Sequence, residues 1–284
     1  MPLEKLIVND KWFMVLTVAL SFFVFTLITS RYAQVTAQSP SPSQASTLDK
    51  AQADYNFQYA LYNETHTSYK TAKAQYLSFQ TAVSKNDAFT KTKDYLVQVD
   101  NLYLSFFALV QENANNINWE QSTQQSQLVT DLLKGESDYF KAHIQSLQNT
   151  KTLEELPPLS KDLKKHIEDT TQPKLNKVIA ILTVAQTESS LSDFNSLSAI
   201  LDRVVVFKLR AGETKSILAN WSSEIKDIKD KTNTGLDQAK EELSKNPQET
   251  MSEGNLDNVS QNTQKAQTEL KRSKALFEEL IRIL

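Results

Sequence analysis

The chain's three histidines, His66, His143 and His166, are its only imidazoles, the groups best suited to general acid–base or metal chemistry near neutral pH. They fall on three different expected helices. None belongs to an HExxH motif, and none has a Glu three residues ahead of it, as a di-iron bundle requires. Asp162 precedes His166 by four residues, one helical turn. That spacing would offer a two-ligand metal edge, but an i,i+4 surface ion pair is the simpler expectation.

Tyr55, Tyr59, Tyr62, Tyr69 and Tyr76 gather on one stretch, and exposed phenol edges there would form a stacking platform for a glycan or peptide. At heptad spacing they are expected instead to be core, with their hydroxyls at the rim. The acids of Glu224-Ile-Lys-Asp-Ile-Lys-Asp-Lys231 alternate with lysines, the pattern of a solvated helix face. With no Cys there is no thiolate, zinc knuckle or disulfide. Gly135, Gly212, Gly235 and Gly254 stand alone, so no phosphate-cradling loop can be written. No catalytic, cofactor-binding or metal-ligating residue is therefore assigned. Only five of the 31 basic residues are arginine, against 34 acids, and they form no patch suited to phosphate, so nucleic acid is not an expected partner.

The elements that carry these residues begin with an apolar run. Trp12 to Thr29 holds no charge and is flanked by Lys5, Lys11 and Arg31. At 1.5 Å per residue it reaches about 27 Å, close to the hydrocarbon thickness of a bilayer. The reading is a signal anchor over 12–30, with 1–11 cytoplasmic by the positive-inside bias. Cleavage near Ala37, after the small residues Val35 and Ala37, is the alternative and would give a secreted product. Residues 31–44, rich in Ser, Pro and Gln, read as a tether.

From Pro42 to Pro157 there is no intervening proline and one glycine, a pattern that fits long helices rather than a sheet. Leu48, Tyr55, Tyr62, Tyr69, Tyr76 and Val83 recur every seven residues, predicting a first helix of about forty residues that ends at the Asn86-Asp87 turn. Phe89, Leu96, Tyr103, Val110 and Ile117, with Val99 and Phe106 between them, predict a second. A third starts at Trp119 and carries Leu128, Leu132, Tyr139 and Leu147.

Thr152-Leu-Glu-Glu155 followed by Pro157-Pro158 reads as a capping box and a stop, hence a boundary at 151–158 between a bundle over 45–150 and another over 159–284. Pro173 is expected to end or kink the next helix, and Ser190 to Asp193 to cap a new one. A long helix from Leu191 toward Lys245, bent or interrupted at Gly212, then leads to a last one. That last helix has Leu256, Leu270, Phe277 and Leu284 on one row and Val259, Ala266 and Leu280 on another.

The expected fold is all-α: a transmembrane helix, then long antiparallel helices in an elongated coiled-coil-like bundle, as two three-helix bundles in series. In architecture alone this is similar to the outer parts of bacterial helical sensors and to membrane-tethered coiled-coil scaffolds. The implied function is a non-enzymatic structural spacer or protein-interaction scaffold of the cell envelope, single-pass, with its bulk extracytoplasmic. Its partners would be the bilayer, other proteins or further copies of itself. An extracytoplasmic ligand- or glycan-binding helical module is the alternative.

Overall fold

The computed structural model describes residues 46–119, 122–210, 215–245 and 248–283. The expected membrane span at 12–30 and the tether at 31–44 lie outside them, as do Gly212, Leu284 and the side chains of Val204, Leu218 and Leu280. No helix of the described residues is long and apolar enough to cross a membrane. These residues are all-helical, with no strand among them. In chain order the helices are α1 (Thr47–Phe79), α2 (Ala82–Asn115), α3 (Thr123–Asn149), α4 (Leu156–His166), α5 (Gln172–Arg210), α6 (Lys215–Ser244) and α7 (Glu253–Ile283).

Local chemistry sets the ends of these rods. Ser46 and Asp49 form a reciprocal capping box at the start of α1, each side chain accepting from the other's backbone N–H at 3.1 Å. The helix stops after 33 residues, short of the expected forty, at Gln80. There φ is 49°, and the Gln80 N–H closes on the Tyr76 carbonyl at 2.9 Å. Thr81 and Ser84 then repeat the reciprocal arrangement, Ser84 N donating to Thr81 Oγ1 at 3.1 Å and Thr81 N to Ser84 Oγ at 3.0 Å. The reversal therefore falls at Gln80-Thr81, and Asn86-Asp87 lies inside α2. A capping residue acts only where backbone donors are still free, and Thr81 meets them first. Val83, expected on the α1 stripe, sits in the first turn of α2 with 80% of its surface exposed.

The third helix begins at Thr123 rather than Trp119, whose indole instead reaches back to the Ala114 carbonyl at 2.8 Å and closes the turn. Pro157 and Pro158 do not stop a helix. They occupy the first turn of α4, where a missing N–H costs nothing. Ahead of them Leu153–Glu155 forms one 3₁₀ turn, and Glu155 accepts from Lys151 N and Thr152 Oγ1. The expected box is replaced by a different arrangement: Glu155 takes the backbone N–H one residue before Thr152, and the Thr152 hydroxyl donates to Glu155 instead of capping.

Pro173 does not end the helical run. Ile167–Thr171 widens into a π turn and Pro173 is the second residue of α5, so the wider turn relieves a ring that would clash with the Asp169 carbonyl. Ser190 does not cap a helix. Its hydroxyl bonds the Gln186 carbonyl at 3.0 Å, and α5 runs through to Arg210.

The chain divides into two compact units, but not at 151–158. Unit 1 comprises residues up to Glu112 together with Ser137–Ile167; unit 2 comprises Asn113–Glu136 and the residues from Glu168 on. The division differs from the expected series because α3 is one unbroken helix that lends its first half to unit 2 and its second half to unit 1.

In unit 1 the α1 stripe is buried at Tyr55, Tyr62, Tyr69 and Ala72, facing an α2 buried at Leu96, Val99, Tyr103, Phe106 and Val110. In unit 2, α5, α6 and α7 pack pairwise. From Leu175 to Thr187, α5 is buried over most of its circumference. The α6–α7 crossing is close at Gly235, where a Cβ would stand 2.9 Å from the Asn262 carbonyl oxygen and 3.2 Å from the Ala266 Cβ. Toward the end of α7, Leu276 and Phe277 are buried, with Phe277 stacked on Phe194 at 5.5 Å between ring centroids.

Candidate functional site

The tyrosine row is core. Tyr55 packs on Phe106 at 6.0 Å, and Tyr62 and Tyr69 pack on Tyr95 at 5.8 and 5.0 Å, so α1 and α2 meet ring against ring. Tyr59 and Tyr76 are half-buried beside them. Burial and the neighbouring Tyr59 raise the Tyr55 hydroxyl to about 12, and burial does the same, more strongly, to Tyr103. Both phenols stay protonated at any physiological pH.

The histidines do not converge. His66 lies among the α1 rings, stacked on Tyr62 at 5.8 Å and facing Tyr95 at 5.2 Å. His166 lies on Tyr139 with ring centroids 3.4 Å apart, while Asp162, the expected ion-pair partner, faces solvent. His143 is different. Its Nδ1 is 2.7 Å from Oδ2 of Asp100, and both residues are buried, Asp100 completely and His143 to within 6%.

Burial drives the Asp100 carboxyl up to about 6, and the hydrogen bond and charge of His143 oppose that rise without cancelling it. The outer atoms of the pair, Asp100 Oδ1 and His143 Nε2, are enclosed with no hydrogen-bond partner. An Asp–His pair is the orienting half of a nucleophilic triad, but Nε2 would have to face a nucleophile, and here it faces core. Sequence reading missed the pairing because 43 residues separate its members. The legible signal was a polar residue on each apolar face: Asp100 within the buried Leu96–Tyr103 stretch, and His143 between Phe140 and Leu147.

Unit 2 buries polar groups too, and uses them as fasteners. Glu136 on α3 accepts from Thr171 Oγ1 at 2.7 Å and from Lys174 Nζ at 3.0 Å, tying the π turn to α3. Asn176 Nδ2 donates to the Met251 carbonyl at 3.1 Å, and Met251 N donates to the Pro173 carbonyl at 2.9 Å. Lys177 Nζ reaches the Leu243 carbonyl at 3.3 Å near the end of α6, and its pKa is lowered by desolvation. On the outer face Arg272 meets Glu269, Asp227 and Glu224 at 2.8, 3.2 and 3.3 Å, so the Glu224–Lys231 run does serve as a charged face.

A groove of about 590 Å³ lies between α6 and α7. Gly235 forms part of its wall, with the amides of Gln238, Gln261 and Gln264 and the hydroxyls of Thr234 and Thr268 around it. Among the described residues no group of three or more His, Asp or Glu is placed to hold a metal ion. No protein-family model, curated protein or solved structure matches the chain.

Proposed function

We propose that the chain is a membrane-anchored helical spacer or interaction scaffold of the cell envelope, without catalytic activity of its own. The observation that carries this reading is how the buried polar groups are used. Asp100 and His143 hold each other, Glu136 holds Thr171 and Lys174, Lys177 holds a carbonyl near the end of α6, and Asn176 holds one in the α6–α7 connection, so each fastens one segment of the bundle to another. Exposed apolar side chains at Leu77, Phe79 and Val83 by the α1–α2 reversal, and at Leu197 and Ile200 on α5, supply surface for protein contacts. The apolar run at 12–29 supplies the anchor.

Photo-crosslinking in intact cells from probes at Phe79 and Ile200, with protease shaving to report sidedness, tests it. The reading expects discrete protein adducts and release of peptides from 45–284 by external protease. Absence of adducts from both probes, or full protection from protease, overturns it.

A second reading, a glycan-binding helical module, is favoured by the α6–α7 groove. Its volume lies in the ~300–1,000 Å³ range of small-ligand sites, and its amides and hydroxyls, with Lys231, Lys265 and Glu269 beside them, offer a saccharide both donors and acceptors. Saccharide titration followed by amide shifts tests this directly. Shifts confined to Gln238, Gln261 and Gln264 are the outcome it requires.

A further inference from the structure

The groove between α6 and α7 presents one positive charge that no carboxylate among the described residues answers. Lys231 on its wall donates to Asp227 at 2.8 Å, and Glu269 accepts from Arg272 at 2.8 Å, so those two charges are met by neighbours. Lys265 is exposed on the same wall and donates to the side-chain carbonyl of Asn262 at 3.2 Å, a neutral partner. We propose that the groove takes an acidic saccharide, one sugar of which carries a carboxylate that Lys265 binds. This rests on the glycan-binding reading of the groove and adds the chemical class of the sugar.

The other polar groups of the walls fit the rest of such a molecule. The Thr234 and Thr268 hydroxyls each donate to their own helix, to the Asp230 carbonyl at 2.9 Å and the Gln264 carbonyl at 2.8 Å, which leaves them as acceptors for a ligand. The exposed amides of Gln238, Gln261 and Gln264 each bring two donors and an acceptor. Ring hydroxyls both donate and accept, so they can use all of these groups. A carboxylate only accepts, and it is suited to the ammonium and the amide N–H groups.

The charges along the groove orient the ligand. The two helices run antiparallel here, since Asp227 meets Arg272 while Gly235 stands against Asn262 and Ala266. Lys231 and Thr234 of α6 therefore lie level with Thr268 and Lys265 of α7, and Gln238 lies level with Gln261. Past the glutamine end, Glu241 and Glu242 share the single cation of Lys245, and Asp257 stands exposed one turn before Gln261. That end carries net negative charge and disfavours a carboxylate. From Lys231 to Gln238 the helix rises about 10 Å, the length of a disaccharide. The fitting unit is an acidic sugar at the lysine end linked to a neutral sugar at the glutamine end.

The experiment titrates the full chain, with its glutamine side chains isotope-labelled, against matched disaccharides of the gluco, galacto and manno series. Each pair consists of a neutral sugar and its counterpart with one uronic acid, and affinity is read from the side-chain amide shifts of Gln238, Gln261 and Gln264. In at least one series the acidic member should bind about three- to fivefold tighter than the neutral one, and the difference should vanish at about 1 M salt. Lys265→Gln should bring the two members level. Lys274→Gln, nine residues on and on the opposite side of α7, should leave the preference intact. Inorganic phosphate at the same concentration should not displace the sugar. Equal binding of both members in every series, an unchanged preference in Lys265→Gln, its loss in Lys274→Gln, or displacement by phosphate overturns the acidic-sugar proposal and leaves the glycan reading standing. Absence of shifts with every sugar overturns both.

Discussion

Unit 1 and unit 2 are both helical, yet they fill the space between helices differently. Between α1, α2 and α3 the filling is rings: Tyr103 lies on Phe140 at 4.7 Å, Phe107 meets Phe140 edge-on at 5.6 Å, and the α1 tyrosines lean on Tyr95. The polar pair Asp100 and His143 is buried among these rings. Between α5, α6 and α7 the filling is aliphatic, with Ile181, Leu182, Ile228 and Val259 fully enclosed and Gly235 letting α6 touch the backbone of α7. Unit 2 sets its charged and amide fasteners away from that crossing: Glu136, midway along α3, holds Thr171 and Lys174, and Asn176 and Lys177 reach the Met251 and Leu243 carbonyls.

The contrast can be broken at its strongest point in unit 1. Phe140→Ala removes a ring that touches Tyr103, Phe107 and Tyr139, and should cost about 3–5 kcal/mol in chemical denaturation followed by circular dichroism. A cost under about 1 kcal/mol would mean that the rings are not what holds unit 1.

For unit 2 the informative change adds atoms. Gly235→Ala gains about 1 kcal/mol of helix propensity but places a Cβ against the Asn262 carbonyl. A net loss of about 1–3 kcal/mol is expected from overpacking. Gly135→Ala, with nothing within 4 Å of the added Cβ, should instead stabilise by up to about 1 kcal/mol. Opposite signs in thermal melts at the two glycines would sharpen the comparison; equal signs would remove the close crossing from it.

Ser46→Ala should cost about 1 kcal/mol by unmaking the α1 capping box, seen as faster amide exchange in the first turn of α1. The smallest effect belongs to Arg272→Ala, whose exposed ion pairs are worth a few tenths of a kcal/mol and should vanish in high salt.

The heptad rows of α2 and α7 were readable from residue spacing because a helix that buries one face must repeat its apolar residues every three to four positions. Leu96, Tyr103 and Val110, and Val259 and Ala266, are buried as that rule requires. The α1 row was readable only as far as Tyr76. Its continuation to Val83 was a coincidence of spacing that the Thr81 cap interrupts. Proline was the weakest guide. Pro157 and Pro158 begin a helix and Pro173 is absorbed by a π turn, since a missing N–H matters only where a carbonyl is waiting for it.

Of the candidate groups, the tyrosines were legible as core, while the partner of His143 was not. Composition and periodicity determined that these residues are long helices, because those properties act within one or two turns of the chain. Which helices share a unit, how α3 is divided between two of them, and that Asp100 meets His143 were decided only by tertiary packing. Those outcomes depend on shape and desolvation between segments that no local pattern records.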